Sequence, residues 1–432
     1  MIKVPSGPLD ICRRLKDRGF AAYIVGGAVR DSLLGRTPVD WDIVTAAEPA
    51  EVAGLFPGSQ CQEREFGRVL VDGIDVLTMR SEGVYRDGRR PSSVTFTDDL
   101  HLDLARRDFT VNALAYDPFS QEIIDPFGGR EDLELRVVRV VGDAEVRFGE
   151  DHLRMLRALR FSAVLGFSLN SDMARAIRTC APHLGLISPE RIRAELDAIL
   201  LSDGVKAAME NMAAWGLLTS VLPELEPAVG YFRRHHDVFS HCVLAAHYAP
   251  RDLVLRLAAL FHDAGKPEKP GDDHAAAGAE LARQALERLR YPQCTTRRVL
   301  SLVYHHMFKY PEGTPAGVMR RLVLRLGPGG VRDLLDLRYA DRQASGRRGL
   351  GSQGERALDH LRQVVADGSA ISLAQLAVDG NDVARVLGLS AGPSIGRVLQ
   401  VLHERVLDEP TLNDRSTLLA MIPVLFSGDR CQ

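Results

Sequence analysis

The stretch that decides the fold comprises Val25-Gly-Gly-Ala-Val-Arg-Asp31 and, shortly after it, Pro38-Val-Asp-Trp-Asp-Ile-Val44. The first part follows an apolar run, and its small residues let backbone N–H groups approach a phosphate at the start of a predicted helix. In the second part, Asp40 and Asp42 are two residues apart, so on a strand both carboxylates leave the same face. Two facing carboxylates can share divalent metal ions, so the stretch predicts a site for metal-dependent phosphoryl transfer.

Two more residues are candidates for the same site. Arg30 adds a fixed positive charge beside the predicted phosphate loop. Asp75 lies on another predicted strand and is a candidate third carboxylate, with its role left open. An Asp-x-Asp pair or a Gly-Gly turn is common by itself, so the prediction rests on their joint occurrence within a short stretch.

The remainder of the chain predicts an α+β protein. Short β-rich runs lie in the N-terminal third. These runs are Ala21-Ala-Tyr-Ile-Val25, Asp42-Ile-Val44, Arg68-Val-Leu-Val71 and Ile74-Asp-Val-Leu-Thr-Met79. From about Asp143 onward the apolar residues recur with helical period. We therefore expect a small mixed sheet with helices at the N-terminus, followed by all-α domains.

Composition narrows the classes of function. The chain has 432 residues, enough for several domains, and its net charge of −3 gives no general attraction to nucleic acid. No run approaches the ~18 consecutive apolar residues of a membrane helix, and the N-terminus lacks an export segment. We expect a cytoplasmic protein without a membrane partner. The six cysteines include no Cys-x-x-Cys pair, which argues against a thiolate zinc site.

Ordered motifs carry a family resemblance. Gly26-Gly-Ala-Val-Arg-Asp31 followed by Asp40-Trp-Asp42 resembles the signature of polymerase β-type nucleotidyltransferases of the class II CCA-adding family. Further segments match that family in order: Asp87-Gly-Arg-Arg-Pro91, Arg106-Arg-Asp-Phe-Thr-Val-Asn-Ala113, Asp125-Pro-Phe-Gly-Gly129, Glu150-Asp-His-Leu-Arg154 with Arg157-Ala-Leu-Arg160-Phe, and Ile187-Ser-Pro-Glu-Arg191. The resemblance implies a polymerase β-like head with Mg²⁺ at Asp40 and Asp42. It also implies template-independent addition of CCA to the 3′ end of tRNA from CTP and ATP.

Asp151 and Arg154 are the candidate base-reading pair. Glu150-Asp-His-Leu-Arg154 is predicted to begin a helical run, so these two side chains, three residues apart, project together. Asp accepts and Arg donates hydrogen bonds, which suits an amino group beside a ring nitrogen, as in cytosine and adenine. Uracil and guanine present the opposite pattern. An isolated ion pair on a solvated helix is the alternative, and the resemblance favours the base-reading role.

Other residues are assigned to the nucleotide by the same resemblance. Asp108 and Asn112, four apart and predicted to share a helix face, are candidates to hold the ribose hydroxyls, with helix capping as the alternative. The remaining nucleotide-binding candidates are Gly26, Gly27, Arg30, Arg107, Arg157 and Arg160.

A histidine-rich region follows in helical sequence. His241, His262-Asp263 and Asp341 follow the order of the HD phosphohydrolase superfamily, and the region looks like the HD domain of many bacterial CCA-adding enzymes. The ligand types suit Mn²⁺, Ni²⁺, Co²⁺ or Zn²⁺, which activate water toward phosphate esters. His274 and His306 are candidate accessory ligands. The resemblance implies a phosphohydrolase activity, and a domain with a structural or tRNA-docking role is the alternative.

These predictions divide the chain into four parts. Residues 1–138 form the catalytic head, 139–225 a helical neck that recognises the base, 226–350 the HD-like domain and 351–432 a helical tRNA-binding region. The implied partners are tRNA, CTP and ATP, without DNA or a membrane, and the chain is a monomer or a homodimer.

Three other functions remain open. A poly(A) polymerase shares the head motifs, but its family usually carries Gly-Arg-Arg-Phe after the two aspartates, where this chain has Glu63-Arg-Glu-Phe-Gly-Arg-Val-Leu. An enzyme that adds only CC or only the final A shares every motif, although Asp87-Gly-Arg-Arg-Pro91 favours full CCA or CC addition. The third alternative is an HD phosphohydrolase whose head docks RNA.

Overall fold

The computed structural model describes residues 2–85, 88, 91–233, 236–269, 273–390 and 392–428. The chain forms two compact units, one comprising Met1–Glu226 with Arg288–Arg290 and the other Pro227–Glu287 with Tyr291–Gln432. The finer division into head, neck, HD-like and C-terminal parts stays a prediction. In the described ranges, no helix combines the length and the apolar character that crossing a membrane requires.

The N-terminal unit is built on a mixed sheet. The strands before residue 227 are β1 (Ala22–Val25), β2 (Asp42–Thr45), β3 (Gln60–Glu63), β4 (Arg68–Val71), β5 (Ile74–Thr78), β6 (Arg80–Glu82), β7 (Val94–Phe96), β8 (Ala115–Tyr116), β9 (Ile123–Ile124), β10 (Val137–Val138) and β11 (Ser168–Leu169). Seven of them form one sheet in the order β3-β4-β5-β2-β1-β8-β9. The four predicted strands are confirmed as β1, β2, β4 and β5, each to within one residue at either end.

The register of the central strands positions the candidate site. β1 and β2 are antiparallel, and Val25 at the end of β1 is paired with Asp42 at the start of β2. β2 and β5 are parallel, with Ile43 opposite Val76. Three features therefore lie at the same end of these central strands: the loop after β1, the first residue of β2, and Asp75 of β5.

Helices cover the sheet and continue beyond it. Those of the N-terminal unit are α1 (Ser6–Asp17), α2 (Gly27–Leu33), α3 (Pro49–Leu55), α4 (Leu100–Ala105), α5 (Gly129–Leu135), α6 (Ala144–Glu150), α7 (Leu153–Leu165), α8 (Ser171–Cys180), α9 (Pro189–Leu200), α10 (Val205–Ala214) and α11 (Leu218–Val221). Asp143 caps α6 by accepting a hydrogen bond from Val146 N–H. α7 ends where Gly166 adopts a left-handed conformation, with φ of 74°. A buried cluster that includes Val25, Val44 and Leu104 packs the sheet against the helices.

The second unit is helical, with one two-stranded ribbon of β12 (Phe232–Arg233) and β13 (His236–Asp237). Its helices are α12 (Val238–Tyr248), α13 (Leu253–Phe261), α14 (His274–Arg288), α15 (Gln293–His305), α16 (Ala316–Ala344), α17 (Gly351–Ala366), α18 (Gly380–Leu387), α19 (Pro393–Asp408) and α20 (Arg415–Gly428). α16 is interrupted at Gly327, whose φ of 72° is not helical, next to Pro328. The α+β head followed by helical domains is therefore confirmed.

Candidate active site and metal centre

Asp42 is the first residue of β2, and the charges of two other carboxylates, Asp75 and Asp40, act on it. Burial raises the pKa of Asp42 above its ordinary value, and the nearby Asp75 and Asp40 raise it further, whereas Arg107 and Arg68 oppose the rise. Repulsion among neighbouring carboxylates is relieved by a bound cation. Carboxylate oxygens are the ligands that Mg²⁺ prefers, so the chemistry of Asp42 and its acidic neighbours suits that ion.

The predicted strand geometry of the Asp40 and Asp42 pair is wrong in one respect. Asp40 is exposed and lies two residues before β2 begins. The pairing of β1 with β2 stops at Val25 and Asp42, because the chain beyond Val25 turns into α2 and leaves Asp40 without a partner strand. Strand alternation therefore does not hold Asp40 beside Asp42, although the effect of Asp40 on the Asp42 pKa places the two charges near each other.

Asp75 has a defined partner. Arg68 of β4 donates to both of its carboxylate oxygens, from Nε at 2.8 Å and from Nη2 at 2.9 Å. The pairing is bidentate, which fixes the orientation of the carboxylate.

The loop after β1 approaches a buried arginine. Gly26 has φ of 68°, and a Cβ added there would lie 3.0 Å from Nη1 of Arg107. Nε of Arg107 is buried and has no hydrogen-bond partner in the described part of the chain. Burial lowers the pKa of Arg107, an effect that Asp103 and Asp42 oppose. An arginine with an unpaired buried N–H between a glycine loop and a carboxylate is well placed for a phosphate.

A series of hydrogen bonds connects the glycine loop after β1 to helix α7. Nη1 of Arg30 donates to Oδ1 of Asn112 at 2.6 Å, and Nδ2 of Asn112 donates to Oδ1 of Asp108 at 3.1 Å. Nε of Arg157 donates to Oδ2 of Asp108 at 2.8 Å. Burial alone would raise the pKa of Asp108, but Arg157 and Asn112 outweigh it and lower the pKa to about 2.

These hydrogen bonds bear on what the sequence predicts for Asp108, Asn112 and Arg30. Asp108 and Asn112 do not share a helix face, because Asp108 precedes a short 3-10 turn, Thr110–Asn112, after α4 has ended. The turn itself brings the two side chains together. The role of Arg30 as a fixed positive charge beside the glycine loop stays a prediction, and its guanidinium bonds Asp31 and Asn112.

The base-reading pair also differs from its predicted geometry. α6 ends at Glu150 and α7 begins at Leu153, and Asp151 lies between them with an extended backbone, φ −136°. The prediction that Asp151 and Arg154 lie on one helical run is therefore wrong. Two residues could have indicated the break: Gly149 disfavours helix, and Asp151 accepts a hydrogen bond from Leu153 N–H as a helix-capping residue does.

Each member of the pair has partners. Asp151 accepts hydrogen bonds from the backbone of Leu153 at 3.1 Å and from Nη2 of Arg191 at 2.9 Å. Arg154 is 7% exposed, pairs with Glu150, and donates to the carbonyls of Arg106 and Arg147, each at 3.2 Å. These contacts hold both side chains in fixed orientations.

Two residues of α9 were not assigned in the sequence and prove to be part of the network. Arg191 pairs with Asp151. Glu195 accepts from Nε of Arg160 at 2.5 Å and lies 4.0 Å from Nη1 of Arg157. Arg157 and Arg160 therefore face carboxylates. No local spacing could indicate these pairs, which join positions 35 to 40 residues apart.

The motif Asp87-Gly-Arg-Arg-Pro91 lies outside the described residues, apart from Gly88 and Pro91. The carbonyl of Gly88 accepts a hydrogen bond of 3.2 Å from the backbone N–H of His152, between α6 and α7. Gly88 is therefore attached to the segment that carries Asp151.

The second unit brings the four predicted HD ligands together. Nε2 of His241 is 3.0 Å from Oδ1 of Asp341, and Nε2 of His262 is 3.7 Å from the same oxygen. Oδ2 of Asp263 is 3.6 Å from His241 Nε2 and 3.5 Å from His262 Nε2. Lys266 also contacts Asp263. The imidazoles of His241 and His262 and the carboxylate of Asp341 form one cluster, and ligands of these types suit borderline divalent metals.

His262 provides the test of whether a metal fits. Its ring is 1% exposed, and Nδ1 lies 2.7 Å from the carbonyl of Ala259. A carbonyl can only accept, so Nδ1 carries a proton, and Nε2 is the nitrogen that faces Asp263 and Asp341 and is left to bind a metal. That Nε2 is buried and has no hydrogen-bond partner within the described residues. A cation would satisfy it, so the group fits a metal.

The accessory candidates form a second group with Asp263. Nε2 of His274 lies 3.3 Å from Oδ1 of Asp263, and Nε2 of His306 lies 3.7 Å from it. The two histidine Nε2 atoms are 3.2 Å apart. His274 and His306 therefore lie in the same centre as the other four residues.

Family models match three successive parts of the chain. A Poly A polymerase head domain matches residues 22–139, a probable RNA and SrmB-binding site of polymerase A matches residues 166–229, and an HD domain matches residues 238–344. Together with the clustered ligands, the head and HD domains imply the use of divalent metal ions.

The chain is similar to CCA-adding enzymes, in some cases over nearly its whole length and in others over about half of it. It is 36% identical over 427 residues to the CCA-adding enzyme of Geobacillus thermodenitrificans, covering 96% of this chain and 95% of that protein. It is 47% identical over 221 residues to the CCA-adding enzyme of Geobacillus stearothermophilus, covering 50% of this chain and 54% of the other. The crystal structure of the Bacillus stearothermophilus CCA-adding enzyme in complex with CTP superposes with a TM-score of 0.77 and 29% identity, covering 98% of this chain and 97% of that one. This chain belongs to the family of CCA-adding enzymes.

Proposed function

We propose that this chain adds CCA to the 3′ end of tRNA without a nucleic-acid template, using CTP and ATP and releasing pyrophosphate. Its similarity to CCA-adding enzymes along nearly its whole length supports the reaction. The observation that carries the proposal is the pairing of Val25 with Asp42, which sets a glycine loop beside a carboxylate cluster. This is the arrangement that nucleotidyl transfer needs, with phosphates on one side and metal ligands on the other.

Asp40 and Asp42 are the proposed catalytic residues and would hold Mg²⁺. When bound, the ion lowers the pKa of the attacking 3′-hydroxyl and neutralises the leaving pyrophosphate. Arg68 orients the carboxylate of Asp75, so Asp75 is a candidate third carboxylate of this site. The backbone of Gly26 and Gly27 and the buried guanidinium of Arg107 would contact the triphosphate.

The network around Asp108 would form the ribose side of the site. Oδ1 of Asn112 accepts from Arg30 and keeps a lone pair for a ribose hydroxyl. Each oxygen of Asp108 already accepts two hydrogen bonds, so a hydroxyl would have to displace one of these donors. Arg30 and Arg157 would act as positioning residues, because their N–H groups hold Asn112 and Asp108. Arg160 would act one step further away, by holding Glu195 beside Arg157.

Asp151 and Arg154 would select cytosine and adenine. Each carboxylate oxygen of Asp151 already accepts one bond and can accept another from a base amino group. Arg191 holds the carboxylate in place, and Glu150 with two backbone carbonyls holds Arg154. Uracil or guanine would set a carbonyl against Asp151 and an N–H against Arg154, which costs roughly 1–3 kcal/mol for each buried group left unpaired.

The second unit would hydrolyse phosphate esters. His241, His262, Asp263 and Asp341 would hold a divalent ion, for which Mn²⁺, Ni²⁺, Co²⁺ and Zn²⁺ are the candidates. A metal bound there supplies a water of lowered pKa as the nucleophile. Backbone hydrogen bonding of His262 Nδ1 fixes the tautomer that a ligand needs.

A tRNA extension assay tests the transfer reaction. The purified chain is incubated with Mg²⁺, a tRNA lacking its 3′ CCA, and each nucleoside triphosphate alone or combined, and the products are sized to one nucleotide. CCA addition gives two additions with CTP and a third when ATP is also present. Long A tails would indicate a poly(A) polymerase, and products that stop after two C residues would indicate a CC-adding enzyme. A tRNA that already ends in CC serves as a second substrate, and extension of that substrate alone would indicate an A-adding enzyme.

A further inference from the structure

The ring of Phe161, on α7, lies among three guanidinium groups. The Cζ atom of Arg160 is 4.2 Å from the ring centroid, that of Arg30 is 5.3 Å away, and that of Arg157 is 5.6 Å away. A guanidinium within about 6 Å of an aromatic centroid is attracted by the negative face of the ring. One side chain therefore attracts arginines from two helices, because Arg30 belongs to α2 and the other two belong to α7.

Burial fixes this ring and strengthens its attraction for the arginines. Phe161 is 7% exposed, and the fully buried Phe109 packs against it edge to face, with the ring centroids 5.4 Å apart and the ring planes at 75°. Contact of this kind favours one orientation of the ring. A cation beside a desolvated ring is also attracted more strongly than a cation at an exposed site. The ring is therefore a fixed surface that attracts cations.

Two of the three arginines hold the side chains that are proposed to surround the ribose. Nη1 of Arg30 donates to Asn112 at 2.6 Å, and Nε of Arg157 donates to Asp108 at 2.8 Å. Because both guanidinium groups also lie against Phe161, the ring acts on both polar side chains through the arginines.

Asp108 has one oxygen whose hydrogen-bond donors can move. Oδ1 accepts from the backbone N–H of Phe109 at 2.8 Å and from Nδ2 of Asn112 at 3.1 Å. Both donors that Oδ2 has within the described residues, Nε and Nη2, belong to Arg157. The backbone of the buried Phe109 cannot give way without moving the core, whereas the Arg157 side chain is 34% exposed and can rotate. A ribose hydroxyl that reaches Asp108 would therefore replace an Arg157 N–H at Oδ2.

The ring of Phe161 can retain Arg157 during this exchange. Arg157 precedes Phe161 by about one helical turn, so the two side chains stay neighbours on α7 when the arginine rotates. Attraction by a ring face does not depend on the direction of a single N–H, so the guanidinium can turn away from Asp108 and keep it. Oε1 of Glu195, 4.0 Å from Nη1 of Arg157, offers the displaced N–H groups an acceptor.

We propose that Phe161 is a positioning residue that makes the site select ribonucleotides. Its ring retains the Arg157 guanidinium when the 2′-hydroxyl of the incoming nucleotide donates to Oδ2 of Asp108. A 2′-deoxynucleotide has no such hydroxyl, so it leaves the pair of Arg157 and Asp108 closed and gains nothing from the ring. The inference rests on the proposed function, in which Asp108 faces the ribose, and deepens it by assigning the residue that allows Asp108 to exchange partners.

Fluorination of the Phe161 ring tests the proposal with little change of shape, because each fluorine weakens the negative face of the ring. The full-length protein with mono-, di- or trifluorinated phenylalanine at position 161 is made by stop-codon suppression. Isothermal titration calorimetry with Mg²⁺ then measures the Kd for CTP and for 2′-deoxy-CTP. We expect the Kd for CTP to rise stepwise with the number of fluorines, by roughly 10-fold in total, and the Kd for 2′-deoxy-CTP to stay within about twofold.

Phe56 provides the matched control. It is 4% exposed, and Cζ of Arg14 lies 4.3 Å from its ring centroid. The same fluorinated residues at position 56 weaken a contact of the same kind and should leave both Kd values unchanged. Phe161→Leu should lose the preference for CTP, and Phe161→Tyr, which keeps the ring face, should retain it. Thermal melting followed by circular dichroism separates these effects from a general loss of stability.

Two results would overturn the proposal: a Kd for CTP that does not respond to fluorination of Phe161, or an equal rise in Kd for CTP and 2′-deoxy-CTP. The titration contains no tRNA, so its result does not depend on the transfer reaction. A wild type that shows the expected titrations and fails to extend a tRNA lacking its 3′ CCA would refute the proposed function alone. Normal extension together with a Kd for CTP that ignores fluorination would refute the role of Phe161 alone.

Discussion

Arg157 of α7 donates to Asp108, with Nε 2.8 Å from Oδ2 across 49 positions of sequence. The pair anchors α7 to the turn that carries Asn112, and through Asn112 to Arg30 beside the glycine loop. The proposed base-reading segment before α7 and the proposed triphosphate loop are therefore linked by side chains as well as by the backbone.

Replacing Asp108 by Asn should destabilise the chain. The change leaves Arg157 without its charge partner, which costs about 2–3 kcal/mol of unfolding free energy at neutral pH. Because the folded pKa is lowered to about 2, the stabilisation is fully present above the unfolded pKa of ~3.9 and is lost as pH falls toward 2. Urea denaturation of both proteins between pH 2 and pH 7 measures the difference.

The matched control is Asp10→Asn, which removes an exposed ion pair with Arg13. Its effect should stay below about 1 kcal/mol. A difference between Asp108→Asn and wild type that is constant across this pH range would contradict the account.

Replacing Asp42 by Asn should have the opposite effect on stability. The folded pKa of Asp42 is raised, so its ionisation destabilises the metal-free chain as pH rises above the ordinary range of an aspartate. The metal-free variant should therefore melt at a higher temperature than wild type at pH 7, and the two should converge in acid. Differential scanning calorimetry with a chelator measures this. A lower melting temperature for the variant at pH 7 would refute the electrostatic reading of the cluster.

Alanine at Gly26 should impair both stability and nucleotide binding. Gly26 has φ of 68°, and the added Cβ would lie 3.0 Å from Nη1 of Arg107. We expect a loss of about 1–2 kcal/mol in unfolding free energy and an increased KM for CTP, because the guanidinium must move. Gly54→Ala is the control, since Gly54 lies in α3 with no atom within 4 Å of the added Cβ and no positive φ. Equal effects of the two substitutions would argue against close approach at Gly26.

Truncation of Asp151 or Arg154 to Ala should relax the choice of nucleotide. Loss of one hydrogen-bonding group should reduce the ratio of kcat/KM for CTP over UTP by roughly 10- to 100-fold. Arg191→Ala should reduce the ratio less, because Arg191 acts through Asp151. Arg175→Ala, which removes an exposed pair with Asp172 on α8, is the control. A proportional loss of activity with both nucleotides would assign these residues to folding.

The sequence predicted the features that depend on local pattern. Alternating and apolar runs located β1, β2, β4 and β5, and the order of His and Asp residues located the HD ligands. The short polar strand β3, with the sequence Gln60-Cys-Gln-Glu63, has no such pattern and forms because β4 offers it an antiparallel partner. Propensity alone does not indicate a strand of that composition.

Features that depend on tertiary contact were predicted incorrectly or missed. The break between α6 and α7 at Asp151 was missed although Gly149 and the capping residue Asp151 favour it, and the bond from Arg191 to the Asp151 carboxylate could not be predicted from spacing. Asp40 leaves the strand because β1 ends opposite Asp42. Asp263 lies between His241 and His262 on one side and His274 and His306 on the other, because α12, α14 and the end of α15 meet the turn after α13, which no spacing in the chain specifies.

Extension of a tRNA lacking its 3′ CCA by the wild type and by the single variants Asp40→Asn and Asp42→Asn tests the central claim most directly. With Mg²⁺, CTP and ATP, the wild type should add three nucleotides, and each variant should lose at least about 1,000-fold in rate. Binding of the tRNA, measured by fluorescence anisotropy, should remain within about threefold of wild type, which separates chemistry from docking. Extension by either variant at a rate near that of wild type would contradict the assignment of the transfer reaction to this carboxylate pair.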